Sequence, residues 1–131
     1  MNSIRFITSF THGFVDYAGA LVLLITPIIA NFQETSDLAY WLSVGAGLTL
    51  LFYSLLTDYT LSVKSMISLK WHLILDAIAS VVFLTVPFVA GFGGFVKLFF
   101  LANGMLVMLA VLLTDSRSAS IQSPSLDNVS L

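Results

Sequence analysis

The sequence predicts an all-α fold: a four-transmembrane-helix bundle built from two tandem two-helix hairpins that share one orientation. Three observations predict it. Hydrophobic residues make up 58% of the 131-residue chain and charged residues only 9%, against about 25% charged in an average soluble domain. The apolar residues gather into four runs, each able to cross the hydrocarbon core, which takes about 20 residues as a helix. The third run also repeats the first at an offset of 60, and the fourth repeats the second at an offset of 57.

The first span, residues 11–30, follows a lead-in with a single positive charge at Arg5. It is longer than a signal-peptide core, carries His12 and Asp16 and is echoed later, so it is expected to be retained. An acidic loop (31–37, NFQETSD) leads to the second span, 38–57. A longer loop, 58–70, holds Lys64 and Lys70 and precedes the third span, 71–90. The tight GFGG turn at 91–94 feeds the fourth span, 95–114. Each run is helical by elimination, because an open strand edge cannot satisfy its backbone in lipid. Loops this short make consecutive helices antiparallel neighbours. The transmembrane domain is expected over 1–115, with a flexible serine-rich tail over 116–131.

Arg5, Lys64, Lys70 and Arg117 fall on one side of the spans and Lys97 on the other. That bias puts both termini and the middle loop in the cytoplasm.

Composition also excludes function classes. Five basic residues in a chain of net charge −2 leave no basic patch for nucleic acid. The absence of cysteine removes disulfides, thiolate ligands and thiol nucleophiles. There is no glycine-rich phosphate loop, no H-E-x-x-H and no strand–turn–helix context for a nucleophile. No enzyme activity and no cofactor is expected.

Aligned at an offset of 60, HGFVDYAGALVLLITPIIANF meets HLILDAIASVVFLTVPFVAGF, and His12/His72, Asp16/Asp76 and Pro27/Pro87 coincide. At an offset of 57, Gly47 meets Gly104 and the LLTD of residues 55–58 meets that of 112–115. The repeats therefore run over about 11–58 and 71–115. Each unit crosses twice, so the two copies point the same way and their pseudo-two-fold axis should lie along the membrane normal.

H-x-x-x-D, an aliphatic run, then proline and a terminal phenylalanine, twice over four helices, resembles the SPW-repeat family of small bacterial integral membrane proteins. The likeness spans residues 11–115. The family's Ser-Pro-Trp triplet reads Thr26-Pro27-Ile28 and Val86-Pro87-Phe88 here, so only the proline is kept. The resemblance implies a fold and a bacterial cytoplasmic (inner) membrane location, and no particular reaction.

His12 and His72 sit near the inner ends of their helices, with Asp16 and Asp76 about 6 Å deeper at 1.5 Å per residue. Asp58 and Asp115 close the second and fourth spans at the same level. An intramembrane aspartate costs about 2.5–3.5 kcal/mol at the bilayer centre, more than the roughly 0.6 kcal/mol of an interhelical hydrogen bond. These groups must therefore be protonated, partnered or wetted. Asp58 and Asp115 lie at helix C-termini, the unfavourable end for a negative charge, and a protonated histidine near an N-terminus is equally misplaced. Each histidine is accordingly expected to bond an LLTD aspartate. The foremost reading of the cluster His12, Asp16, Asp58, His72, Asp76 and Asp115 is a structural clasp between hairpins. Proton or ion handling, a divalent metal site and bis-histidine haem ligation are the alternatives.

Pro27 and Pro87 are expected to kink or stop their helices. Gly13, Gly19, Gly45, Gly47 and Gly104, with Ala18, Ala20 and Ala46, supply small faces for close approach. Trp41 and Trp71 read as interfacial anchors. Thr57 and Thr114 are expected to bond carbonyls of the preceding turn, and Asn103 needs a partner within the span. Phe99, Phe100, Met105 and Met108 are offered as partner- or lipid-facing contacts. Together these point to a small structural or accessory membrane protein whose partners are the lipid bilayer and a homo-oligomer or larger complex.

Overall fold

The computed structural model describes residues 7–57 and 66–114, and five helices account for nearly all of them. They are α1 (Ser9–Ile29), α2 (Phe32–Thr35), α3 (Asp37–Leu55), α4 (Leu69–Val89) and α5 (Gly94–Leu113). Four of them, α1, α3, α4 and α5, are each long and apolar enough to cross a membrane, with mean hydropathies of 1.5 to 2.3. At 21 residues, α1 and α4 are about 31 Å long, close to the hydrocarbon thickness of about 30 Å.

Helix boundaries follow local chemistry. Thr8 and Ser68 cap α1 and α4, their side-chain oxygens accepting from the backbone N–H of Thr11 and Trp71. Ser36 does the same for α3 through Ala39. Such caps satisfy donors that the first turn would otherwise leave bare. At the other end the proline does not stop the helix at once. Both α1 and α4 run two residues past Pro27 and Pro87, and both prolines are fully buried. Termination comes from the left-handed residue that follows, Asn31 at φ 52 and Gly91 at φ 71. Glycine and asparagine are the residues that take this conformation most cheaply. Beyond it, the Phe92 N–H returns to the Pro87 carbonyl at 2.8 Å, a Schellman-type closure, and Phe32 and Phe92 turn into the core.

The acidic loop is more ordered than its polarity suggests. Residues Phe32–Thr35 form one helical turn, held because Phe32 buries completely against Phe95 and Phe99.

Packing is strongest within hairpins: α1 lies along α3 and α4 along α5. In each pair a glycine sets the approach. A methyl group at Gly47 would meet Leu24 Cγ at 2.9 Å and the Ala20 carbonyl oxygen at 3.1 Å, and one at Gly104 would meet Leu84 Cγ at 2.9 Å. Ser43 donates to the Leu23 carbonyl and Ser80 to the Gly104 carbonyl, each at 2.7 Å, so each hairpin also carries a buried interhelical hydrogen bond. Gly45 faces open space and has no such role. Phe99 and Phe100 are corrected as outward contacts: both are buried, Phe100 against Phe83 and Phe92, whereas Met105 is exposed and Met108 partly so. Asn103 finds its partner on its own helix, donating to the Phe99 carbonyl at 2.8 Å.

At the end where α1 and α4 begin, backbone pairing ties the hairpins to each other. Ile7 N–H donates to Leu113 C=O at 3.0 Å, and Ile67 N–H to Leu56 C=O at 2.8 Å. The start of α1 is thus pinned to the end of α5, and the start of α4 to the end of α3. Round the bundle the order at this end is α1, α3, α4, α5, with α1 and α4 facing across the centre.

Gly47→Ala and Gly104→Ala should each destabilise the protein in detergent by about 1–3 kcal/mol through overpacking. Gly45→Ala, with room for its methyl group, should be neutral or stabilising by up to about 1 kcal/mol. Thermal unfolding of the three variants checks this contrast.

Candidate functional site

Across the bundle centre, His12 and Asp16 of α1 meet His72 and Asp76 of α4. Position i, i+4 puts each histidine and aspartate on one helix face, and the backbone pairing at the helix starts brings those two faces together. His12 Nε2 lies 3.3 Å from Asp16 Oδ2 and 3.0 Å from Asp76 Oδ2. His72 Nε2 lies 2.8 Å from Asp16 Oδ2 and 3.2 Å from Asp76 Oδ2. The four atoms form a closed ring in which nitrogen and oxygen alternate. Both histidines are fully buried and neither aspartate is more than 6% exposed. The imidazoles meet edge to face, centroids 5.4 Å apart.

The other face of each imidazole is held from the opposite hairpin. His12 Nδ1 lies 2.7 Å from Thr114 Oγ1 at the end of α5, and His72 Nδ1 lies 2.6 Å from Thr57 Oγ1 at the end of α3. Each threonine hydroxyl has one hydrogen and a carbonyl four residues back to receive it: Thr57 donates to Tyr53 C=O at 2.6 Å, and Thr114 to Ala110 C=O at 2.5 Å. The hydroxyl oxygen must then accept from the imidazole. Both histidines therefore carry a proton on Nδ1 and turn Nε2 toward the carboxylates. Tyr53 adds a further tie, its hydroxyl donating to Asp76 Oδ1 at 2.5 Å, while its ring packs edge-on against His72 with centroids 4.7 Å apart.

Of the six residues singled out in the sequence, four, His12, Asp16, His72 and Asp76, converge here. Asp58 and Asp115 lie outside the described residues. The expected pairing of each histidine with an LLTD aspartate therefore falls outside the described residues; within them, the threonine of each LLTD contacts the ring. Thr57, Thr114 and Tyr53 are the site residues that sequence reasoning missed. The signal for the threonines was present, since both belong to the repeated LLTD. Tyr53 had none, because alanine occupies the matching position, 110.

Two clefts reach the ring from the sides. One of about 430 Å³ lies between α1, α3 and α4 and is lined by Trp41, Tyr53, Val82, Asp16 and Asp76. Another of about 320 Å³ lies between α1 and α5 and is lined by Phe14, Asn103, Leu106, Asp16 and Asp76. Both carboxylates thus border two apolar recesses that lie between the hairpins. Comparison with known proteins gives no match to any family model, curated protein or solved structure.

Nitrogen-15 imidazole spectra of the protein should show Nδ1 protonated in both histidines. Thr57→Val should lift that constraint on His72 alone, and lower stability by about 1–3 kcal/mol through the buried donor it leaves unsatisfied. Loss of the Nδ1–H signature at both rings would contradict the pairwise assignment.

Proposed function

We propose that this chain is a structural or accessory protein of the bacterial cytoplasmic membrane, related to the SPW-repeat proteins, in which two tandem hairpins are clasped by a buried His/Asp ring. The observation that carries the reading is the sidedness of the ring's contacts. His12 bonds Thr114 and Asp76, and His72 bonds Thr57 and Asp16, so every one of these ties runs from one hairpin to the other. At the far end the hairpins meet through apolar contacts, Phe32 against Phe95 and Phe99, and the clefts lie between the two ends.

The tandem-repeat reading, with its pseudo-two-fold along the membrane normal, is supported by recurrence at the offsets found in the sequence. Caps Thr8 and Ser68, left-handed residues Asn31 and Gly91, buried prolines 27 and 87, and the paired residues Ile7 and Ile67 all stand 60 apart. Gly47 and Gly104, and Thr57 and Thr114, stand 57 apart.

An accessory role agrees with the outer surface. No more than a third of any span's apolar window is buried within the bundle, and exposed Phe95, Leu98, Met105 and Leu106 leave α5 available to lipid or to a neighbouring subunit. A second reading, proton or ion handling, is favoured by one specific feature: the hydrogen-bonded run from Tyr53 through Asp76 to the imidazoles beside a cleft. Intramembrane Asp/His chains serve such relays elsewhere.

Asp16→Asn and Asp76→Asn should each destabilise the protein in detergent by roughly 3 kcal/mol, as expected when one partner of a buried ion pair is removed. Unchanged melting would end the clasp reading. Purification from native membranes in mild detergent should yield a homo-oligomer or a stoichiometric partner. A pH-driven flux in liposomes that Asp76→Asn abolishes would favour the second reading instead. The native chain lacks cysteine, so Glu34→Cys should label from outside the cell and Lys64→Cys only after permeabilisation.

A further inference from the structure

The clasp needs a positive charge at its centre. With Nδ1 protonated by the threonine contacts, each neutral imidazole presents an Nε2 lone pair to two carboxylate oxygens, and a ring of net charge −2 is costly in a buried site. Two fillings neutralise it: a second proton on each imidazole, or one divalent cation between two neutral imidazoles. The distances discriminate between them. Each Nε2 has its nearer oxygen on the opposite helix, at 3.0 Å for His12 and 2.8 Å for His72, and a second on its own helix at 3.3 and 3.2 Å, so two oxygens crowd a nitrogen whose single N–H would point along one axis toward one acceptor. Each carboxylate also turns the same oxygen, Oδ2, to both nitrogens, where paired imidazolium salt bridges would use one oxygen for each. This is convergence on a point.

The dimensions fit a metal ion. A tetrahedral ion with bonds of about 2.0–2.1 Å to nitrogen and oxygen has donor–donor edges of about 3.3–3.4 Å. The four nitrogen–oxygen edges here, of the six that a tetrahedron has, are 2.8–3.3 Å, and the donor set as a whole lies within 4.8 Å. The surrounding contacts are those of ligands held for a metal: ligating histidines characteristically donate their remaining N–H to an outer acceptor, and ligating carboxylates are themselves hydrogen-bonded. Thr57 and Thr114 supply the acceptors, and Tyr53 supplies the donor to Asp76 Oδ1. Mixed imidazole and carboxylate donors in this geometry suit zinc and its first-row neighbours better than the octahedral oxygen shell of magnesium or the larger one of calcium.

We propose that His12, Asp16, His72 and Asp76 form a tetrahedral binding site for a divalent first-row transition metal ion of the zinc class, positioned by Thr57, Thr114 and Tyr53. The inference rests on the inter-hairpin clasp and names what fills it. Two residues on each of two helices then supply a four-donor set of charge −2, which a divalent ion brings to zero.

The test uses the full-length protein in detergent, stripped by a chelator and titrated with Co²⁺ alone, then with Zn²⁺ in competition. One Co²⁺ per chain is expected, with the intense visible bands of tetrahedral coordination, displaced by Zn²⁺ and undetectable in Asp16→Asn. Thr57→Ala should keep the stoichiometry and weaken binding by about 10–100-fold. X-ray absorption on the Zn²⁺-loaded native protein should report four nitrogen or oxygen donors including two imidazoles, a readout that does not depend on any variant folding. Absence of tetrahedral bands, or uptake unchanged by Asp16→Asn, overturns the proposal. If the native protein takes no metal while Asp16→Asn still melts lower, the metal site falls and the clasp stands. If Asp16→Asn melts like the native protein, the clasp itself falls.

Discussion

Removing two carboxylates from water inside an apolar bundle is the constraint on which the rest of this structure depends. The penalty for such a group is several kcal/mol even after relaxation, and it is repaid only when every remaining lone pair and proton is matched. The ring around Asp16 and Asp76 comes close to that condition. Each carboxylate faces two imidazoles, each imidazole is fixed on its far side by a threonine, and each threonine closes onto its own helix. Remove one member and a buried group elsewhere in the ring loses its match. A polar centre built this way specifies the pairing of the hairpins more narrowly than apolar packing can, since lipid competes equally well for leucine and phenylalanine.

The remaining architecture reads as what is needed to bring those groups to one place. Glycines 47 and 104 let the helices of each hairpin lie close. The buried serine bonds hold the pairs in register. The backbone pairings of Ile7 and Ile67 bring the ends of α5 and α3 to the starts of α1 and α4, which is where Thr114 and Thr57 must stand to reach the imidazoles. A threonine one residue earlier or later would project from another face of its helix and miss the ring. These short-range devices convert a sequence repeat into a single site.

Most of this was legible before any coordinates. Four helices, their approximate ends and the coincidence of His12 with His72 and Asp16 with Asp76 follow from hydropathy and a simple offset, because a lipid environment leaves few alternatives to a helix. The threonine partner of each histidine was not legible. Helix-dipole reasoning pointed to Asp58 and Asp115, the charged members of LLTD, which lie outside the described residues; a local electrostatic preference gave no reason to look at the threonine beside each. The threonine beside each aspartate had already been assigned a carbonyl, and that bond is present. What a one-dimensional reading lacked was the oxygen's second use as an acceptor. Phe99 and Phe100 failed for a related reason: in a uniformly apolar helix no polar face marks the outside, so α5 gives no sequence cue to which phenylalanines face inward.

The two halves differ where symmetry would not require it. Tyr53 holds Asp76 Oδ1, and its counterpart position in the second hairpin is Ala110. Ser43 and Ser80 perform like interhelical bonds from unlike positions, one on α3 and one on α4. On the tandem reading proposed above, the motif that had to be kept in both copies is the one whose atoms meet on the axis, because an axis presents each donor twice and a ring of four needs both presentations. Groups that act away from the axis are under no such demand. An interhelical bond can be supplied from either helix of a hairpin, and one carboxylate can gain a donor the other lacks without breaking the ring. Around the ring, then, the four donors and the two threonines recur in both halves, whereas the tyrosine and the serine bonds do not, because only the former are needed twice to close it.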